Sequence, residues 1–191
     1  MRDKSVYEQL SLRECRQWLQ DPQISDTERV LLLCREGMLL AKLGRHQEAL
    51  TSCDRAMGLQ PDSEEVWHSR GIILMRAQRY KEVLEHFNRA LEIRSDYGRV
   101  WYNRGIVLLQ LGQEQEAATS FEQALSLCQN FHKVWYTSIW TYHGLALLRM
   151  GHFAQAIASW DCKLVCVKGG EMRSNELAHL RQEQSTDGNP S

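Results

Sequence analysis

A tryptophan recurs at a thirty-four-residue interval in this chain, Trp67 in Glu-Glu-Val-Trp-His-Ser-Arg-Gly and Trp101 in Gly-Arg-Val-Trp-Tyr-Asn-Arg-Gly. Each is followed four residues later by a glycine, Gly71 or Gly105, and Gly37 stands one such interval before Gly71. A fixed period of this size belongs to a stack of repeated supersecondary units. One unit cannot bury its apolar face alone, so each copy must cover the next. The period constrains the fold more tightly than composition does. It also bounds the function, because stacked units present an extended binding surface.

Aligned with the tryptophan at position 4 and the glycine at position 8, the copies agree at several further places. Position 8 reads Gly37, Gly71, Gly105 and Gly144, position 20 reads Ala49, Val83, Ala117 and Ala156, and position 27 reads Ala56, Ala90, Ala124 and Lys163. Position 24 is Cys53, Phe87, Phe121 and Trp160. Small residues suit close helix crossings, and a larger group at position 24 can fill the gap beside them. Gly44, Gly112 and Gly151 at position 15 fit the turn between two helices, where positive φ is useful.

This pattern resembles the tetratricopeptide repeat over roughly residues 30–167. Two departures stand out. Only the first copy ends with the family's proline, Pro61, where later copies have Ser95 and Gln129. In the fourth copy, the step from Trp101 to Trp140, and from Gly105 to Gly144, exceeds the period by five, so five residues are inserted. The resemblance implies an all-α fold, a right-handed superhelix of about four helix pairs with a concave face and a capping helix at each end. The expected organisation is an N-terminal cap over 1–24, four repeats over 25–168, and a polar C-terminal helix with a disordered tail over 169–191. Ser5-x-x-Glu8 predicts the start of the first capping helix, and Ser25-x-x-Glu28 that of the first repeat helix. Gly169-Gly170 breaks the chain before a polar stretch at 174–184. The Trp-Tyr-Asn-Arg-Gly-Ile style of repeat is also similar to bacterial arrays, some of which assist assembly of membrane complexes; that implication is an analogy.

Net charge of −1 over 191 residues indicates neither a nucleic-acid footprint nor a polybasic membrane patch. No apolar run approaches the ~20 residues of a membrane span, and the start Met-Arg-Asp-Lys has no signal-peptide core behind it. A soluble, cytoplasmic protein is expected. None of the six cysteines forms a CxxC pair, and Cys34 and Cys53 sit at repeat positions that want modest apolar groups, which predicts buried thiols. Cys162 and Cys166 lie one helical turn apart, without further ligands spaced to complete a metal site. The seven histidines are dispersed, and HExxH, GxSxG and phosphate-loop motifs are missing. His68 near Tyr102 is the one pairing to name, and a binding contact accounts for it better than a base does. The expectation is therefore no enzyme, no cofactor and no metal.

In the family this chain resembles, positions 2, 5, 6, 9, 12 and 13 of each first helix face the groove. The resemblance assigns a partner-binding groove to Arg35, Met38, Lys42, His68, Ile72, Met75, Arg76, Tyr102, Asn103, Ile106, Leu109, Tyr142, Leu145 and Arg149. Position 9 is apolar throughout, which suits another protein's helix or extended peptide with apolar anchors and acidic flanks. The alternative is a groove filled internally, by a tight superhelix or a terminal helix, in a self-associating structural protein. The family's carboxylate clamp is missing: starting at the first repeat, its positions hold Cys34, Met38, Ser69, Arg99 and Asn103. At position 7, Glu36, Arg70, Arg104 and His143 replace the usual apolar group and predict long stems along the seam with their heads in water. The insertion is dense in aromatics, with Phe131, Trp135, Tyr136, Trp140 and Tyr142. Either the fourth repeat's first helix is extended toward its N-terminus or a loop bulges before Ser138. Trp135 and Tyr136 would then be partner anchors or extra core.

Overall fold

The computed structural model describes residues 2–127 and 133–167. Within them lie nine helices and no strand. They are α1 (Arg2–Leu19), α2 (Asp26–Lys42), α3 (His46–Leu59), α4 (Glu64–Arg76), α5 (Tyr80–Ile93), α6 (Gly98–Gln110), α7 (Glu114–Leu127), α8 (Lys133–Arg149) and α9 (Phe153–Val167). The expected C-terminal helix and tail, together with Cys128 and Phe131, lie outside the described residues, as does the side chain of Cys166.

Two compact units divide the chain, Met1–Val107 and Leu108–Ser191. In the first, α1 packs on α2, α2 on α3, α4 on α5, and both α2 and α3 on α4. In the second, α7 packs on α8 and α8 on α9. The pairs α2–α3, α4–α5 and α8–α9 are thus helix hairpins, and in the first unit α4 covers what the α2–α3 hairpin leaves open.

Local chemistry sets the helix ends. Ser25 accepts from the Glu28 amide at 3.3 Å and Glu28 accepts from the Ser25 amide at 2.9 Å, closing the expected capping box on α2. At the other expected box, α1 already begins at Arg2, so the backbone of Ser5 lies inside the helix and not at its start. All four hairpin turns close with the same amide-to-carbonyl bond spanning five residues: Arg45 to Leu40, Arg79 to Leu74, Gln113 to Leu108 and His152 to Leu147, at 2.9–3.0 Å. That closure needs a left-handed residue just before the donor. Gly44, Gly112 and Gly151 supply it at φ +78, +72 and +81, while the second repeat forces Gln78 to φ +60.

Position 8 explains the glycines. A Cβ added at Gly71 would stand 2.6 Å from Phe87 Cδ1, and one at Gly144 2.8 Å from Trp160 Cε2. At Gly37 it would stand 3.0 Å from the Ala49 carbonyl and 3.3 Å from Cys53 Sγ. The large group at position 24 therefore lies directly on the small one at position 8, and the two helices cross at a distance that only glycine permits. The recurrent tryptophan has a second task. Trp67 donates its ring N–H to the Pro61 carbonyl and Trp101 to the Ser95 carbonyl, both at 2.8 Å, tying each first helix to the turn before it.

The insertion lengthens the fourth repeat's first helix by four described residues. Where α4 and α6 have 13 residues, α8 has 17 and runs unbroken through Trp135, Ser138 and Trp140. The sixth residue before Trp140 is helical, so no turn carbonyl is there to accept from its ring. Trp140 is instead fully buried, its Nε1 without a hydrogen-bond partner among the described residues.

Candidate functional site

Within the first unit α2 is flanked by α1, α3 and α4, and one stripe of it is left over. Leu31, Arg35, Met38 and Lys42 recur at i, i+4, i+7 and i+11, a single helix face. Leu31 is 53% exposed, Arg35 and Lys42 are exposed and Met38 is half-buried. The same positions of α4 place Ile72 half-buried and Arg76 exposed, with Met75 half-buried beside them. On α6, Tyr102 and Ile106 are half-buried. Met38, Ile72 and Ile106 thus form a partly uncovered apolar row with one member per repeat. Leu31 was not singled out by the sequence reading, although its repeat position 2 was the signal that could have found it.

Three residues expected on this wall are buried instead. His68 and Asn103 are 3% and 9% exposed in the first unit, and Leu109 is 4% exposed in the second. His68 meets Tyr97 and Asn103. Asn103 Nδ2 lies 3.2 Å from His68 Nε2, Tyr97 Oη lies 3.3 Å from Nδ1, and the Tyr97 hydroxyl donates to the Glu65 carboxylate. Because the Asn103 amide can only donate at that atom, Nε2 accepts and the proton sits on Nδ1, facing the tyrosine oxygen. Burial holds the His68 pKa down to about 4, with Arg99 acting in the same direction, so the ring is neutral. Burial, together with the bond to Glu65 and that residue's charge, pushes the Tyr97 hydroxyl well above its ordinary value. The cluster joins the second and third repeats through satisfied polar groups.

Position 7 forms the seam, though not as expected. Arg70 pairs with Asp54, and Arg104 Nε donates to Asn88 Oδ1 at 2.9 Å. In the second unit His143 Nε2 lies 3.6 Å from Glu122 Oε1, while its Nδ1 stands 3.0 Å from Ser159 Oγ. Asp54, Asn88 and Glu122 are themselves one period apart, so each rung joins position 7 of one repeat to position 25 of the repeat before. Glu36, expected with its head in water, is 4% exposed. Arg16 of α1 donates to it at 2.6 Å and the Ser52 hydroxyl at 3.1 Å, so the capping helix supplies the missing rung with the charges reversed. A carboxylate buried this deeply requires such partners.

The thiols of Cys34 and Cys53 are buried, and burial pushes them up to about 11 and about 12. Among the described residues, no group of three or more His, Cys, Asp or Glu is placed to hold a metal ion. Nor is any helix there long and apolar enough to cross a membrane.

In the second unit Tyr142 and Leu145 are half-buried, and Tyr142 stacks on Phe121 with ring centroids 6.1 Å apart. Arg149 is exposed, yet its guanidinium donates to the Leu109 carbonyl at 2.9 Å. Trp135 and Tyr136 are half-buried on the added turn of α8, with Tyr136 edge-on to Trp140 at 6.2 Å.

Sequence models of the Tetratricopeptide repeat match residues 31–63 and 62–129. The chain is a tetratricopeptide-repeat protein. The helices above therefore form an all-α repeat solenoid, the architecture of a protein-interaction module. No curated protein matches the sequence. Solved structures resemble it at low identity and show the fold alone. "BtubC (BKLC) from P. vanneervenii" is 16% identical with a TM-score of 0.74, the match covering 90% of this chain and 79% of that one. "MamA 41-end from Desulfovibrio magneticus RS-1" is 18% identical with a TM-score of 0.68, covering 90% and 95%. "MamA AMB-1" is 19% identical with a TM-score of 0.67, covering 87% and 94%.

Proposed function

We propose that this tetratricopeptide-repeat protein is an adaptor or assembly factor. It holds a segment of a partner protein against the free face of its first helices, and it has no catalytic role. The observation that carries this reading is the row Met38, Ile72 and Ile106. Each is half-buried on a face that the flanking helices leave uncovered. An isolated apolar side chain at the surface means little, whereas one recurring in each of the first three repeats is a continuous strip for apolar anchors. His68, the one histidine raised as a possible base, is buried and neutral, which supports binding over chemistry. The buried thiols support a reducing compartment, the cytoplasm.

Ile72→Glu with Ile106→Glu puts two charges on the row without touching the position-8 contacts. Helical circular dichroism is expected to persist while partner capture fails. Capture of the same proteins by the double variant would overturn the reading. A second reading, self-association, is favoured by the outer face of α1, where Tyr7 and Trp18 are 70% and 61% exposed. Light scattering on the eluting peak separates the two.

A further inference from the structure

We infer that the uncovered face of the first two repeats selects an acidic polypeptide segment, one that presents side-chain carboxylates about 10 Å apart between apolar residues. This rests on the groove reading above and adds to it the chemistry of the partner.

The argument begins with where the cations are spent. Arg70, Arg79, Arg89 and Arg94 each pair with a carboxylate of their own repeat or the one before, and Arg45 pairs with Glu48. Three cations on the leftover stripe have no such partner. Arg35, Lys42 and Arg76 are exposed and make no ion pair or side-chain hydrogen bond within the described residues. Arg13, Lys81 and Lys163 also lack carboxylate partners, but they lie on three other helices, α1, α5 and α9.

Register makes the three a set. Arg35 and Lys42 are seven residues apart on α2, the same face about 10 Å along the axis. Lys42 and Arg76 share position 13 of neighbouring first helices, and α2 packs against α4 at an interaxial distance of roughly 8–10 Å. Leu31, Met38, Ile72 and Met75 lie among these charges. The later repeats do not continue the pattern, since position 13 becomes Gln110 and then Arg149, which is bonded to the Leu109 carbonyl. Glu65, at position 2 of the second repeat, accepts from the Tyr97 hydroxyl and lies eleven residues before Arg76 on α4, about 16 Å along the axis.

Unpaired cations around an apolar strip lose solvent when a segment docks there, and carboxylates at matching spacing compensate them while a neutral segment cannot. A spacing of about 10 Å corresponds to residues i and i+3 of a polyproline-II chain, whose three residues per turn bring every third side chain to one face. The set differs from the family's carboxylate clamp, whose positions hold Cys34, Met38, Ser69, Arg99 and Asn103 here. Internal side-chain carboxylates, not a chain terminus, are therefore the expected ligands.

The test uses the full chain and two labelled peptides of about 12 residues, acetylated and amidated at their ends. One is a repeat of Glu-Leu-Ser and the other of Gln-Leu-Ser, so that carboxylates fall at every third residue. Fluorescence anisotropy is expected to show the glutamate peptide binding about tenfold or more tightly than the glutamine peptide, with the advantage shrinking as salt rises. Arg35→Gln with Lys42→Gln and Arg76→Gln should abolish that advantage, while Arg45→Gln with Arg79→Gln and Arg89→Gln, an equal loss of charge, should keep it. All six positions are exposed, so helical circular dichroism should match the wild type. No binding of the glutamate peptide, no advantage over glutamine, an advantage that survives the first triple variant, or one lost equally in the second each overturns the inference. Equal binding of both peptides that Ile72→Glu with Ile106→Glu abolishes leaves the groove reading standing without the acidic preference. Glutamate-peptide binding unchanged by that double variant overturns both.

Discussion

Adding one methyl group to a helical glycine should have opposite effects at two places in this fold. Gly58 lies on α3, is exposed, and an added Cβ would meet nothing within 4 Å. There Gly58→Ala gains only the helix-propensity difference, up to about 1 kcal/mol of stability. Gly71→Ala gains the same amount but places its Cβ 2.6 Å from Phe87 Cδ1, against an ordinary carbon contact of roughly 3.5–4.0 Å. The ring must retreat by about 1 Å, and it is fully buried beside His68, with ring centroids 6.1 Å apart. Overpacking of this kind costs about 1–3 kcal/mol, and the severity of the approach puts Gly71→Ala at the upper end. The net expectation is a loss of about 1–2 kcal/mol, a shift in sign relative to Gly58→Ala. Denaturant unfolding followed by circular dichroism measures both. Phe87→Cys recreates the first repeat's own pairing of Gly37 with Cys53, so Gly71→Ala with Phe87→Cys should lose less than the two single variants added together, by about 1 kcal/mol or more. A stabilising Gly71→Ala, or a strictly additive cycle, would refute the claim that position 24 dictates the glycine at position 8.

The remaining expectations use the same unfolding assay. Gln78→Gly should stabilise the protein by about 1 kcal/mol, because it removes a side chain from the left-handed turn residue that the other three repeats fill with glycine. His68 is held neutral in the fold at a pKa of about 4, below its unfolded value. Its contribution is therefore intact above the unfolded pKa of about 6.5 and is lost as pH falls from there through the folded value, on the order of 3 kcal/mol. His68→Gln should flatten stability over that acidic window relative to wild type, and an unchanged slope would show that His68 is not the group responsible. Trp135→Ala should cost less than about 1 kcal/mol of stability and about 2 kcal/mol or more of partner affinity if the ring is an anchor, whereas Trp140→Ala should cost about 3–5 kcal/mol of stability. Similar melting losses for the two variants would make the added turn of α8 a piece of core.

The helix hairpins were legible in the sequence because their determinants repeat. Recurrent glycines, a bulky group sixteen residues after the last three of them, and the turn glycines all act within one repeat, so periodicity alone reports them. Where the chain breaks period, the sequence left two accounts of the insertion, and only the unbroken hydrogen-bonding of α8 decided that the extra residues lengthen a helix. The polar groups were the least legible. Glu36 reads as a solvated charge until Arg16 of the capping helix and Ser52 are brought to its carboxylate. His68 reads as a groove contact until Tyr97 and Asn103, 29 and 35 residues further along, close on both ring nitrogens. Arg149 reads as a groove residue by register, and only the tertiary structure brings its guanidinium to the Leu109 carbonyl 40 residues away. Apolar and small residues declare their environment through spacing, since burial needs no named partner. A charge or an imidazole is buried or free according to which group from another helix reaches it, and the stacking register of the helices decides that.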